Sequence, residues 1–262
     1  MKILAALLLA FALQTPAAAQ EAPVGTTQRI ATRDGVTVPI YVVRRADAVA
    51  TLVLFSGGGG GYGQIGADGW PTSGNFLIRT GKIWVKHPFN VVMVGRPSDR
   101  IDLELGGIRT GDEHATDNQA IFKAIKQENP LPLWLLGTSM GTISVAAAAI
   151  RDEQQLLAGV VLSSSIVAYK IPGAVPSLDL EKIRVPTLVF HHAEDACWAC
   201  KAHEAKRLET QLTNAPIRKT MLVTGGSGAT GNTCGAFHHH GYVGMEEQAV
   251  DLIAGWILKP SE

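Results

Sequence analysis

The sequence lacks long apolar segments beyond its first residues, which limits the ways in which the chain can meet a membrane. Residues 3–13 form one unbroken apolar run behind Lys2, and alanines follow at positions 17–19. That run is shorter than the roughly 20 apolar residues that a bilayer-spanning helix needs. A short positive start, an apolar run and a small-residue site are together typical of a cleaved export signal.

We therefore predict a signal peptide over residues 1–19 and a single domain over residues 20–262. The protein is expected to be exported, to the periplasm or outside the cell, with no membrane span in the mature chain. An uncleaved membrane anchor is the alternative.

The sequence also lacks an excess of either charge. It contains 23 basic and 23 acidic side chains, and neither sign collects into a block along the chain. Binding to a phosphate backbone requires a concentrated basic surface. We therefore expect no nucleic-acid partner.

Short β-rich segments alternate with helical patterns along most of the chain. Such alternation predicts an α/β fold, in which a mostly parallel central sheet of about eight strands is flanked by helices on both faces. Fewer than 30 residues separate the sixth and seventh strands, so no large cap domain is expected. The predicted strands are residues 29–32, 36–43, 51–55, 90–94, 133–136, 159–162, 187–190 and 220–223, and the predicted helices are residues 112–127, 140–153, 199–212 and 245–258.

The most informative motif is G-T-S-M-G, with Ser139 at its centre, between a predicted strand and an Ala-rich predicted helix. A serine hydroxyl is a weak nucleophile unless a tight turn projects it beside a base, and such a turn needs small flanking residues. A G-x-S-x-G motif gains meaning from this strand, turn and helix context. We predict Ser139 as a nucleophile; a serine that merely caps the helix is the alternative.

Five consecutive glycines, residues 57–61, follow the third predicted strand and bring backbone N–H groups to the same edge of the sheet. Such donors suit a developing oxyanion. The stretch also fits G-x-G-x-x-G, but a dinucleotide site requires a helix directly afterwards and an acidic residue about 20 positions on. Residues 64–74 are broken by Gly and Pro, and no acidic residue lies between Asp68 and Asp99. We predict no cofactor; a merely flexible loop is the other interpretation.

A serine nucleophile in this context needs an acid and then a base further along the chain. The seventh predicted strand leads into a polar segment in which Asp195 is favoured as the acid, with Glu194 as the alternative. The last predicted strand is followed by a loop with three consecutive histidines. Among them His240 is favoured as the base because the glycine after it allows a tight turn, and His239 comes second.

Cysteine is scarce, with Cys197, Cys200 and Cys234 as the only three. Disulfides persist in oxidising compartments, and a Cys197–Cys234 bond would tie the loop of Asp195 to the loop of His240. Closing a loop of this length would stabilise the fold by about 3 to 4 kcal/mol. A Cys197–Cys200 bridge is an alternative, and so is a zinc site built from the three cysteines and a histidine.

The stretches FSGGGGGYG, GTSMGT, HHAEDAC and CGAFHHHGY resemble exported bacterial serine hydrolases, esterase- or lipase-like, of the α/β-hydrolase superfamily. The resemblance covers residues 29–258. Two departures are Ser56-Gly57 in place of the usual His-Gly, and Thr142 in place of a small residue. The resemblance implies a triad of Ser139, Asp195 and His240, an oxyanion hole formed by the backbone N–H groups of Gly58 and Met140, and pairing of Cys197 with Cys234.

The implied activity is hydrolysis through an acyl-enzyme intermediate, with small carboxylic esters as the first expected substrates. A peptidase or a lactonase on the same triad is the alternative, because the fold hosts many acyl-transfer reactions. From other classes, a non-catalytic binding protein and a Cys/His zinc-site protein remain. The sequence gives no indication of the oligomeric state.

Overall fold

An eight-stranded sheet forms the centre of residues 23–262, the part of the chain that the computed structural model describes. The predicted export signal, residues 1–19, lies outside the described residues. Within the described part, no helix combines the length and the apolar character needed to cross a bilayer.

The sheet is mostly parallel, as predicted. Strands β1 and β2 pair antiparallel, and so do β2 and β4, whereas every other neighbouring pair is parallel. The strand order is β1-β2-β4-β3-β5-β6-β7-β8. The strands are β1 (Thr26–Arg33), β2 (Val36–Val43), β3 (Ala50–Phe55), β4 (Phe89–Val94), β5 (Leu133–Thr138), β6 (Leu157–Ser163), β7 (Thr187–His192) and β8 (Arg218–Val223).

Helices cover both faces of this sheet. Alternate side chains of a strand point to opposite faces, so Val53 packs with α3 and α4 on one face and Leu54 packs with α1, α2 and α7 on the other. Because both faces are buried, the central strands are mostly apolar. The helices are α1 (Phe76–Arg79), α2 (Gly81–Trp84), α3 (Asp112–Glu128), α4 (Gly141–Ile150), α5 (Ala202–Ala205), α6 (Leu208–Gln211) and α7 (Glu246–Leu258).

The predicted helix over residues 199–212 is wrong in its continuity, because two one-turn helices, α5 and α6, occupy this region. The buried side chains Ala202, Ala205 and Leu208 recur every three residues. That spacing fits a tightly wound turn better than the 3.6-residue period of a long α-helix.

No cap domain lies between β6 and β7, where the described chain forms only two short 3₁₀ turns, Val175–Ser177 and Leu180–Lys182. The loops after the parallel strands β3, β5, β6, β7 and β8 therefore meet at one open edge of the sheet. In open α/β sheets this carboxyl edge is where ligands bind.

Candidate active site

Ser139 lies in a strained turn between β5 and α4, with a backbone φ of +53°. Such a left-handed conformation is uncommon outside glycine and persists only where the surroundings impose it. The two motif glycines impose it by close approach: a Cβ on Gly137 would lie 2.5 Å from the carbonyl oxygen of Gly141, and a Cβ on Gly141 would lie 2.0 Å from that of Phe55. The G-x-S-x-G pattern is thus a steric requirement of this turn.

Two hydrogen bonds fix the turn on either side of the serine. The Ser139 N–H donates to the carbonyl oxygen of Ser163 over 3.0 Å, and the Thr142 hydroxyl donates to the Ser139 carbonyl oxygen over 2.6 Å. Thr142, which departs from the usual small residue, therefore closes the turn instead of crowding it.

Asp195 and His240 form a buried pair. His240 Nδ1 lies 2.8 Å from Asp195 Oδ2, and the other carboxylate oxygen accepts the N–H of Cys197 over 2.9 Å. With Nδ1 engaged by the carboxylate, Nε2 is the ring nitrogen left to exchange a proton. The alternative residues Glu194 and His239 lie elsewhere: Glu194 is exposed, and the His239 ring stacks on His192 at 4.4 Å between centroids.

Tyr242 joins the loop that carries His240 to the ends of β6 and β7. Its hydroxyl donates to the carbonyl oxygen of Phe190 in β7 over 2.9 Å and lies 2.9 Å from the hydroxyl of Ser163 at the end of β6. The His240 carbonyl oxygen accepts the Ser164 hydroxyl over 2.9 Å. These contacts hold the imidazole over the carboxyl edge of the sheet.

Ser139 and His240 line the same cavity, which has a volume of about 210 Å³. Within residues 23–262 no hydrogen bond joins the Ser139 hydroxyl to the His240 imidazole, whose Nδ1 is engaged by Asp195. Catalytic hydrogen bonds are often long in unliganded sites and tighten with substrate. The remaining lining residues are Gly57, Gly58, Asn75, Phe76, Thr138, Cys234, Ala236 and Gly241.

The glycine loop after β3 borders this cavity through Gly57 and Gly58. The Gly57 carbonyl oxygen accepts the Gly60 N–H over 3.1 Å, which directs the N–H of Gly58, on the same peptide unit, the opposite way. Gly58 lines the cavity, and Met140 follows Ser139 at the start of α4 but is outside the lining. In the described part of the chain, neither N–H group has a hydrogen-bond acceptor.

A buried arginine, which sequence reasoning missed, supports this glycine loop. Arg109 donates from Nη2 to the Gly58 carbonyl oxygen over 3.0 Å and from Nη1 to the Ser144 hydroxyl oxygen over 2.8 Å. Burial lowers the pKa of Arg109 to about 10, so the guanidinium stays charged at neutral pH. The sequence carries no signal for this role, because an arginine in a polar segment normally predicts a solvated side chain.

The same network includes a neutral histidine. His114 Nε2 lies 2.9 Å from the Ser144 hydroxyl, and burial lowers the pKa of His114 to about 4. Because Arg109 can only donate to Ser144, the serine hydrogen is available to the uncharged imidazole. Sequence reasoning also missed this contact.

The structure contains a disulfide between Cys197 and Cys234, with an S–S distance of 2.03 Å. It joins the loop after Asp195 to the loop before His240. Cys200 is the remaining thiol, and burial raises its pKa. Sulfur atoms of Cys197 and Cys200 and a ring nitrogen of His240 lie within 4.8 Å of one another. The alternative zinc site would need Cys197 and Cys234 as thiolates, whereas both are engaged in the disulfide.

Comparison with known proteins points to hydrolases. A family model described as serine aminopeptidase, S33, matches residues 102–178, a segment that contains Ser139 but neither Asp195 nor His240. No curated protein gave a significant sequence match.

Solved structures match nearly the whole chain, at low sequence identity. A predicted CIB-like hydrolase from Thermoplasma acidophilum is 17% identical, with a TM-score of 0.58 over 89% of this chain and 98% of its own. A Pyrococcus furiosus esterase is 15% identical, with a TM-score of 0.63 over 90% of both chains. A dienelactone hydrolase from Anabaena variabilis is 12% identical, with a TM-score of 0.63 over 90% of this chain and 98% of its own.

These likenesses establish the fold, and they agree with a mostly parallel eight-stranded sheet flanked by helices. The predicted fold is therefore confirmed: the chain has the α/β-hydrolase fold.

Proposed function

We propose that this protein is a serine hydrolase that forms an acyl-enzyme through Ser139, with carboxylic esters as its preferred substrates. One observation carries the proposal: a buried His240–Asp195 pair, 2.8 Å apart, opens onto the same cavity as a serine held in a strained turn. Strained backbone concentrates at functional sites, which supports a functional role for this serine.

The proposed reaction follows from the positions of the three side chains. His240 Nε2 removes the proton from Ser139 Oγ as that oxygen attacks the ester carbonyl carbon, and Asp195 stabilises the imidazolium that forms. The N–H groups of Gly58 and Met140 are proposed to receive the developing oxyanion. Nε2 then returns the proton to the departing alkoxide, and a water molecule releases the acyl group by the same steps.

Esters are preferred over amides in this proposal because an alkoxide is a better leaving group than an amide anion. Its departure therefore depends less on proton donation by His240. The small open cavity of about 210 Å³ favours short acyl groups. A peptidase is the alternative in view of the family model's description, and a lactonase in view of the dienelactone hydrolase match.

A fluorophosphonate probe tests the proposal directly, because such probes react with activated serines. The wild type should be labelled at Ser139, and Ser139→Ala should abolish both labelling and hydrolysis of nitrophenyl acetate. Ser261→Ala, at an exposed serine near the chain end, is the matched control and should label normally. An unlabelled, inactive wild type would instead favour a non-catalytic binding protein.

The acyl preference needs a second measurement. We expect kcat/KM to be highest for acetyl and butyryl nitrophenyl esters and to fall for longer chains. Higher kcat/KM for aminoacyl nitroanilides would favour the peptidase alternative. Metal analysis of the same preparation tests the zinc alternative.

We also propose that the protein is exported. The Cys197–Cys234 disulfide supports this location because disulfides persist in oxidising compartments. Mass spectrometry of the protein from its native cell should find a terminus after Ala19 and an intact disulfide.

A further inference from the structure

Asn75 occupies a position in the cavity that the proposed triad and oxyanion hole leave unassigned. It ends the long loop after β3, lies directly before α1, and is half-buried. Its side chain lines the cavity together with Ser139, His240 and Gly58.

The orientation of the Asn75 amide is set by the helix that it caps. Its Oδ1 accepts the N–H of Leu77 over 3.1 Å, as an N-cap side chain does. Since the oxygen is engaged by the helix, the Nδ2 group is the end that is free to donate elsewhere. In the described part of the chain, Nδ2 has no acceptor.

The free Nδ2 lies beside the nucleophile, on the side of the glycine loop. A Cβ placed on Gly57 would meet Ser139 Cβ at 2.8 Å and Asn75 Nδ2 at 3.3 Å. Both groups therefore flank one point of the loop, next to the proposed donor Gly58. A side chain at position 57 would displace one or both of them, which accounts for the glycine there.

We infer that Asn75 Nδ2 donates a hydrogen bond to the substrate's carbonyl oxygen as it becomes an oxyanion, adding a side-chain donor to those of the backbone. This inference rests on the proposed serine-hydrolase function. A neutral N–H donor held in place by its own cap stabilises developing charge without reorganising during the reaction. This role also accounts for an asparagine in the cavity lining whose Oδ1 is bound to the helix while its Nδ2 is free.

The substitution Asn75→Asp separates the two roles of this side chain. Aspartate caps a helix about as well as asparagine, so the fold should keep its melting temperature. The substitution replaces the Nδ2 donor by a carboxylate oxygen, which repels an oxyanion. We expect kcat for nitrophenyl acetate to fall about 10²- to 10³-fold, with little change in KM, as for loss of a donor used only in the transition state.

A second variant and a labelling control make the result decisive. Asn75→Ser also provides a cap oxygen but is too short to reach the oxyanion, so it should lose kcat as well. Fluorophosphonate labelling of wild-type Ser139 tests the underlying hydrolase function separately. If the wild type is labelled and active while both variants keep kcat within about threefold, the role of Asn75 is refuted and the hydrolase proposal stands. If the wild type neither labels nor turns over substrate, both proposals fail together.

Discussion

Arg109 donates a hydrogen bond of 3.0 Å to the carbonyl oxygen of Gly58 from a position that is only 2% exposed to solvent. No carboxylate in the described part of the chain forms an ion pair with this guanidinium. Burying a charge without a partner is costly. The arginine therefore shapes the glycine loop at the expense of stability, a balance that is usual where geometry matters for function.

Substituting Arg109 should reduce activity although its side chain does not line the cavity, because it supports the glycine loop. Lysine keeps the charge but cannot contact both Gly58 and Ser144, because it lacks the planar fork of arginine. We expect Arg109→Lys to lower kcat/KM by about tenfold or more, and the free energy of unfolding by about 1–3 kcal/mol from polar groups left unpaired. Nitrophenyl acetate kinetics and urea unfolding measure the two effects.

Arg151→Lys is the matched control, because Arg151 donates to the Thr110 carbonyl oxygen over 2.9 Å and does not contact the glycine loop. Its kcat/KM should stay near that of the wild type. Equal losses in both variants would contradict a specific role for Arg109.

The nucleophile turn should not tolerate a methyl group at Gly141. A Cβ there would lie 2.0 Å from the Phe55 carbonyl oxygen, so Gly141→Ala must displace either β3 or the turn. We expect a loss of about 1–3 kcal/mol of unfolding free energy, as for other overpacked sites, and loss of fluorophosphonate labelling. Gly255→Ala in α7 is the control, since no atom lies within 4 Å of its Cβ position; alanine should stabilise that helix by about 1 kcal/mol.

Removal of the disulfide should affect both stability and activity. Cys197 and Cys234 are 37 residues apart, and opening a loop of this length costs roughly 4 kcal/mol by the chain-entropy relation. We expect the double substitution Cys197→Ser and Cys234→Ser to lower the urea midpoint and, by releasing the loop of Asp195 from that of His240, to lower kcat. Dithiothreitol should reproduce both changes in the wild type and have no further effect on the double variant. Unchanged kcat in the double variant would show that the disulfide does not position the pair.

Acid should destabilise the fold through two buried histidines. Burial lowers the pKa of His114 to about 4 and that of His191 to about 3, from an ordinary 6.5. The unfolded chain therefore binds more protons than the native protein between about pH 4 and 6.5, so stability falls as the pH falls through this range. Each histidine should contribute a loss of about 2 kcal/mol between pH 7 and pH 5.

Urea unfolding at pH 7 and pH 5 measures this loss. His114→Gln should remove about half of the loss of unfolding free energy between pH 7 and pH 5. This holds even if the substitution also changes the stability at pH 7. His203→Gln, at a side chain that is 73% exposed, should leave the pH dependence unchanged. A wild-type stability that is flat over this range would rule out buried, neutral histidines.

Much of the architecture could be predicted because the central strands are recognisable in the sequence as short apolar runs. Strands such as β5 and β7 are buried on both faces, so they read as short apolar runs, and all eight predicted strands are found within a few residues of their predicted ends. The tight turn at Ser139 could also be predicted from its motif, because close backbone contacts at positions 137 and 141 leave room only for the hydrogen atoms of glycine. The predicted roles of Ser139, Asp195 and His240 remain to be tested by experiment.

Arg109 and Asn75 could not be predicted, because both lie in irregular segments whose path is set by long-range contacts. Nothing in the local sequence indicates that the Arg109 guanidinium is enclosed, or that Asn75 lines the same cavity as Ser139. Hydrophobic periodicity, the main signal for secondary structure, does not report the path of such loops. The order of the strands, and not the local sequence, brings these loops to one edge of the sheet.

Tyr242 links the ends of β6 and β7 and lies two residues after His240, while β7 leads directly to Asp195. Asp195 and His240 are therefore held through contacts with β6 and β7, whereas Ser139 follows β5 and is joined to β6 by its N–H. Small movements of the carboxyl edge of the sheet should therefore displace the His240 imidazole and the Asp195 carboxylate together, so that their 2.8 Å contact is kept. In the proposed mechanism, the distance between the Ser139 hydroxyl and the His240 imidazole is then the one that substrate binding has to shorten.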